Sequence, residues 1–336
     1  MLSIRKMLFV ARAAVLGAGV AVACALPAMA AAASPAGNDG PVYGPRLEGF
    51  TYPAPVHLYT FVSQRETLEM AYLDVQPAHP NGRTVVLLHG KNFCAATWED
   101  TIGVLSRAGY RVIAPDQIGF CKSSKPDRYQ YSFQQLARNT HALLEAVGVK
   151  SATIVGHSTG GGEVARYIGR HGTKRVSKAV LIGAVPPQMV KSPTNPGGLP
   201  MDVFDGIRKN VAENRSQFYK DLAVPFFGFN RPNAKPSQGT IDAFWSQGMM
   251  GGIHGQYLCV KEFSEVDYTD DLKKIDVPTL VLHGDDDQIV PIDDSARLSS
   301  KIIKHAQLKV IEGGSHGMCV VNADRINAEL LAFLQA

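Results

Sequence analysis

The chain has 336 residues, 45% of them hydrophobic and 19% charged, with a formal net charge of +4 at pH 7. That length and apolar content give a globular protein with a sizeable core, in one large domain or two small ones. The excess charge is largely local: removing Arg5, Lys6 and Arg12 lowers it from +4 to +1, and no basic stripe with interleaved aromatics is left to bind nucleic acid.

Residues 1–30 begin with those three cations, continue through an apolar run at 13–26 and end in Pro27-Ala28-Met29-Ala30. A positive start, an apolar middle and small residues at the last and third-last positions predict a secretory signal cut after Ala30, and so a periplasmic or secreted protein. Competing readings are an uncut anchor and a lipid on Cys24, whose preceding residues fit a lipidation box poorly. No other run is long and apolar enough to span a bilayer. Residues 31–54, rich in Ala, Pro and Gly without periodicity, predict a flexible mature N-terminus. The remaining cysteines are Cys94, Cys121, Cys259 and Cys319. None has the C-x-x-C spacing of a metal site, so they read as bridges or buried thiols in a disulfide-permissive compartment.

From residue 55 onward the pattern predicts one α/β domain. Two strands at 57–62 and 68–75 are followed by a strand at 84–88, whose unbroken apolar run suits burial on both faces. Next come a helix at 96–107, a strand at 111–114, a loop at 116–131, and a helix at 132–147 capped by Ser132 and closed by Gly148. A strand at 153–155 runs into Gly156-His157-Ser158-Thr159-Gly160 and then an amphipathic helix. Further strands fall at 179–182, 279–283 and 307–311, with helices at 295–303 and 322–334. Alternation of this kind implies a mainly parallel sheet with helices on both faces, and ligands bind at the carboxyl ends of such strands. Residues 186–268 interrupt it with eight prolines and helical stretches that carry ten aromatics, Phe204 and Phe244 among them. An insertion this long predicts a helical cap over an apolar pocket. Most of its aromatics are expected to pack the cap's own helices, with two or three facing the pocket.

A strand that turns sharply into a helix through G-x-S-x-G holds its serine in a strained backbone region with the hydroxyl exposed. A serine hydroxyl is a poor nucleophile at neutral pH and needs a base. Of ten histidines, His316 stands out, because Gly313-Gly314-Ser315-His316-Gly317 follows an apolar strand at the sheet's carboxyl edge. His254 and His305 read as surface residues, and His89, His157 and His283 as packed side chains. The imidazole needs a carboxylate to fix its tautomer. Asp285, Asp286 and Asp287 end the strand at 279–283, and Asp287 is chosen because two turn residues must pass before the chain swings over the sheet. Asp285 and Asp286 read as turn residues, and an EF-hand calcium spacing is absent. The end of the strand at 179–182 offers no carboxylate. Two donors are needed for a tetrahedral oxyanion, and the backbone N–H groups of Thr159 and Lys91 are placed to supply them, with Asn92 as a substitute. Lys91 reads as useful through its backbone and not its amine.

As a set, His89-Gly90, Asp116 to Ser124 (DQIGFCKSS), Gly156 to Gly160, Gly284 to Pro291 and Gly313 to Gly317 resemble the α/β-hydrolase superfamily over about residues 60–336. The cap and the C-terminal third (PFFGFN, FWSQGMMGG, DLKKIDVPTLVLHGDDDQIVP) are similar to the cofactor-free, non-haem haloperoxidases and their arylesterase and perhydrolase relatives. The resemblance implies hydrolysis of small, fairly apolar esters through an acyl-serine. Hydrogen peroxide can replace water to give a peracid that oxidises halide, with no haem, metal or other cofactor. Dehalogenases and epoxide hydrolases share the fold but use an aspartate where this chain has Ser158. A non-catalytic binding protein using the cap as a recognition surface is the remaining alternative. The implied partner is a small-molecule ester, with no nucleic acid and, after signal cleavage, no membrane. The chain departs from its relatives at Lys91, where they usually carry a large aromatic, and at Cys121, where they carry glycine. With Cys94 on the neighbouring loop, the second departure implies a Cys94–Cys121 disulfide across the pocket mouth.

Overall fold

The computed structural model describes residues 43, 44 and 46–336. The expected signal sequence, Cys24 and the first part of the segment expected to be flexible lie outside the described residues. The chain alternates as expected: β1 (Val56–Ser63), β2 (Glu66–Val75), β3 (Thr84–Leu88), α1 (Glu99–Arg107), β4 (Arg111–Pro115), α2 (Phe133–Ala146), β5 (Ala152–His157), α3 (Thr159–His171) and β6 (Val176–Ile182). Then come α4 (Met201–Phe226), α5 (Gln238–Met250), α6 (Ile253–Ser264), α7 (Thr269–Leu272), β7 (Thr279–Gly284), α8 (Ala296–Ile302), β8 (Ala306–Ile311), α9 (Met318–Val321) and α10 (Ala323–Gln335).

The strands form one sheet in the order β1-β2-β4-β3-β5-β6-β7-β8. Pairing is parallel from β4 through β8 and antiparallel for β1 with β2 and for β2 with β4. This is an α/β-hydrolase fold. The period-2 geometry of a strand explains why the central strands are apolar throughout. In β3, Val86 and Leu88 enter the core beneath α2, α3 and α8, while Val85 and Leu87 enter the core against α1 and α10. Burying each such side chain contributes roughly 1.5–3 kcal/mol.

Ser132 caps α2 by accepting from Gln135 N at 3.1 Å, and Gly148 follows it with φ +72. The helix expected at 96–107 is divided: a 3-10 turn over Ala95–Trp98 precedes α1. The insertion is a three-helix cap, in which α4 is interrupted at Asn214 by a non-helical backbone. Gly317 N donates to Phe226 O at 2.8 Å, so the end of α4 is tied to the loop after β8. The expected flexible segment reaches residue 54, yet its last residues are held. The Tyr52 hydroxyl donates to Asp116 Oδ2 at 2.6 Å, and Lys122 Nζ donates to Leu47 O. Among the described residues no helix is long and apolar enough to cross a membrane.

Candidate active site

Ser158 sits between β5 and α3 with φ 56 and ψ −119, a conformation that costs an L-residue energy and projects its side chain above the sheet. The flanking glycines permit it: a Cβ on Gly156 would overlap Gly160 O, and one on Gly160 would overlap Leu88 O. The Ser158 hydroxyl donates to His316 Nε2 at 2.9 Å. His316 Nδ1 donates in turn to Asp287 Oδ2 at 2.6 Å. The other Asp287 oxygen accepts from the backbone N–H groups of Ile289 at 2.9 Å and Val290 at 2.8 Å. Burial would raise the Asp287 pKa, but the charge of His316 and hydrogen bonds from His283 and His316 outweigh it and hold the carboxyl well below its usual range. Asp285 and Asp286 point elsewhere. Asp285 accepts from Gly313 N at 2.7 Å, and Asp286 pairs with Arg231.

The other histidines beside strand ends are packed and hydrogen-bonded. His157 Nε2 donates to the backbone carbonyl of His316 at 2.9 Å, with its ring among Phe93, Trp98 and Phe226. Burial and then the neighbouring His316 push its pKa down to about 3, so it is neutral and braces the loop that carries His316. His283 Nε2 donates to Val290 O at 2.8 Å and lies 3.3 Å from Asp287 Oδ2. His89 Nε2 accepts from Gln117 N at 3.0 Å. His254 and His305 are exposed.

Thr159 opens α3, where the first N–H groups of a helix have no intrahelical partner and its positive end favours an anion. Lys91 follows Gly90, whose absent side chain lets the loop after β3 lie against Ser158: a Cβ there would come within 3.0 Å of Ser158 Cβ. Asn92, in the left-handed region with φ 70, turns the loop. Its carbonyl oxygen accepts from Lys91 Nζ at 3.1 Å and Gln256 Nε2 at 3.2 Å.

Cys94 and Cys121 are joined as a disulfide, with Cα atoms 5.9 Å apart, linking the loop after β3 to the loop after β4. Cys121 has φ 42, in the left-handed region that favours glycine. Cys259 and Cys319 are buried free thiols whose pKa values burial pushes up to about 12. Asp116, which no spacing in the sequence singles out, is buried between these loops. It accepts from Ala95 N at 2.8 Å, Lys122 N at 2.9 Å and Tyr52. Cys94, Asp116 and Cys121 are the one metal-donor cluster found among the described residues. With both sulfurs bonded to each other and both carboxylate oxygens accepting hydrogen bonds, it is a brace and not a metal site.

Above Ser158 and His316 lies a cavity of about 240 Å³. Phe204, Phe218, Phe226, Phe244 and Phe263 line it, more than the two or three aromatics expected, because α4, α5 and α6 all turn a face inward. Phe226 stands edge-on to His316 with ring centroids 4.8 Å apart. Lys91, Asn92 and Gln288 supply polar wall positions.

The model of the alpha/beta hydrolase fold family matches residues 83–323. The chain belongs to the α/β-hydrolase family. This hydrolase is 50% identical over 277 residues to a non-heme haloperoxidase from Rhodococcus erythropolis, spanning 82% of this chain and 99% of that one. It is 41% identical over 277 residues to a bifunctional esterase/perhydrolase from Acinetobacter calcoaceticus, again with 82% and 99% covered. Among solved structures, a bromoperoxidase from Bacillus anthracis superimposes with a TM-score of 0.78 at 34% identity, covering 84% of this chain and all of that one. The hydrolase is an enzyme related to haloperoxidases and to an esterase/perhydrolase.

Proposed function

We propose that the hydrolase cleaves small, largely apolar carboxylic esters through an acyl-serine. The observation that carries this is the continuous chain of hydrogen bonds from Ser158 through His316 to Asp287, opening on an apolar cavity. As Ser158 Oγ bonds to the ester carbonyl carbon, its proton passes to His316 Nε2. Asp287, ionised and fixed by Ile289 N and Val290 N, holds the ring and stabilises the imidazolium. The N–H groups of Thr159 and Lys91 receive the oxyanion. His316 then protonates the leaving alkoxide as its bond to carbon breaks; water gives a proton to His316 as it bonds to the acyl carbon, and the bond to Ser158 Oγ breaks as His316 returns that proton to the serine and the acid leaves.

A fluorophosphonate probe tests the mechanism directly. Labelling of the wild type and none of Ser158→Ala is expected; no labelling, or equal labelling of both, overturns the mechanism and favours a binding role.

A second reading is perhydrolysis, in which hydrogen peroxide replaces water in the final step and the product is a peracid able to oxidise halide. The likeness to the Acinetobacter esterase/perhydrolase supports it. Peroxide-dependent bromination in acetate no greater than the Ser158→Ala background removes it. We further propose that residues 1–30 direct export; a mature chain beginning at residue 31 in the periplasm or medium is the expected product, and retention of an intact N-terminus in the cytoplasm refutes it.

A further inference from the structure

We propose that Lys91 makes the enzyme select esters whose acyl chain ends in a free carboxylate, such as the monoesters of short dicarboxylic acids. The inference rests on the ester-hydrolase reading of Ser158 and adds the charge of the substrate.

Apart from the reacting groups, most of the cavity wall is hydrocarbon: Val203, Phe204, Ile207, Leu222 and Phe263 are typical of it. Against that wall stands one lysine. Taking an ammonium out of water costs several kcal/mol unless a counter-charge or a full set of acceptors replaces the solvent. Lys91 has neither. Its Nζ carries three donor hydrogens, and the side-chain acceptor it meets is Asn92 Oδ1 at 3.1 Å, already shared with Gln256. The ring of Tyr219 lies under it, 5.0 Å to the centroid. The groups facing it from the cap are Arg215 and Tyr219 of α4 and Gln256 and Cys259 of α6. None of them is a carboxylate.

Arg215 adds a second cation without neutralising either: its Nη1 donates to Gly251 O at 2.7 Å and reaches Gln256 Oε1 at 3.5 Å. Cys259 is a neutral thiol at pH 7, since burial pushes its pKa up to about 12. Burial lowers the Lys91 pKa to about 8, against a smaller raising effect of Cys259 and with Arg215 adding to the fall, and no carboxylate stands beside the amine. Lys91 therefore occupies a cavity wall with unfilled donors and local positive charge. The nucleophile shares that cavity, so one small molecule reaches both. An ester carbonyl at Ser158 with a carboxylate at Lys91 fills both positions, and a purely apolar acyl chain leaves the ammonium unpaired.

The test compares kcat/KM for monomethyl glutarate and methyl hexanoate in the wild type, Lys91→Met and Lys91→Arg. The preference for the charged ester should fall roughly tenfold or more in Lys91→Met and largely persist in Lys91→Arg, as for truncation of a buried charge pair. Lys91→Met keeps the backbone N–H, so the ratio of the two esters reads the amine alone. In the wild type, KM for monomethyl glutarate should rise between about pH 7 and about pH 9 as the ammonium loses its proton, with KM for methyl hexanoate level. A ratio within roughly twofold of wild type in Lys91→Met, or a level KM for the charged ester across that range, overturns the proposal; the pH series decides alone if Lys91→Met does not fold. If the wild type cleaves neither ester, the hydrolytic reading has failed, and calorimetry with uncleaved monomethyl glutarate, a monoanion at pH 7, still tests Lys91. Binding weakened by Lys91→Met supports the proposal and equal or absent binding refutes it.

Discussion

Replacing Asp287 with Asn is the most searching perturbation of the site, because the structure dictates how the amide must sit. Oδ1 of Asp287 accepts two backbone N–H groups, from Ile289 at 2.9 Å and Val290 at 2.8 Å. These donors hold the amide oxygen on their side, since an NH2 group there would face two hydrogens. The amide NH2 therefore turns toward His316 Nδ1, 2.6 Å from the present Oδ2. Nδ1 must then accept, the ring proton moves to Nε2, and Nε2 meets the Ser158 hydroxyl as a donor. The base has the wrong tautomer. Nor can the NH2 be satisfied from the opposite side, because the His283 Nε2–H that lies 3.3 Å from Oδ2 is itself a donor.

Wrong-tautomer substitution in a serine triad lowers kcat by about 10⁴, or about 5.4 kcal/mol of transition-state stabilisation at 1.36 kcal/mol per decade. The assay is kcat/KM for p-nitrophenyl butyrate, with Ser158→Ala as background and thermal unfolding to show that the Asp287→Asn substitution is tolerated. A folded Asp287→Asn enzyme within roughly tenfold of the wild type would refute the argument and return the orienting role to Asp285 or Asp286.

Three other outcomes are expected. Glu163 is buried, accepts from Thr140 and Gln117, and has its pKa pushed up by burial to about 8 from 4.5. The native state therefore holds this proton where the unfolded chain has lost it, and stability falls as pH rises from about 4.5 to about 8. Glu163→Gln should flatten that fall and raise Tm by several degrees at pH 8 but not at pH 5; equal Tm shifts at both would refute it. The Cys94–Cys121 disulfide closes a sequence separation of 27 residues, which chain-entropy arguments put at about 3–4 kcal/mol. The double variant to Ala should lose roughly 5–10 °C in Tm, and free Cys94 and Cys121 thiols in the non-reduced protein by mass spectrometry would exclude the bridge. Phe204 is fully buried and lines the cavity. Phe204→Ala should move the optimum of a p-nitrophenyl ester series to longer chains while costing about 3–5 kcal/mol of stability, and an unchanged optimum would place the acyl chain elsewhere.

What the sequence reveals about this enzyme follows the range of the forces involved. The elbow around Ser158, the strand periodicity and the Ser132 cap are local, set by glycine sterics, the alternation of side chains along a strand and one hydroxyl reaching its own helix. Asp287 was legible for a similar reason: turn length from Gly284 limits which carboxylate can swing back over the sheet. The brace at Asp116 was not, since Tyr52 and the loop after β3 reach it from distant points in the chain and no spacing records that they converge. The orientation of the cap aromatics is equally tertiary, because the break at Asn214 in α4 re-aims a helix whose sequence periodicity shows only which residues share a face. Lys91 shows the limit most clearly. Its backbone role follows from Gly90 and the end of β3, but its amine acquires meaning only when α4 and α6 bring Tyr219, Arg215 and Cys259 around it. The sequence shows a lysine after His89-Gly90, and the fold makes it a cation with no acid beside it. In an otherwise largely apolar cavity, that wall position offers charge. On the proposals made above, Ser158 supplies the reaction while the choice of ester turns on one loop residue and the cap that closes over it.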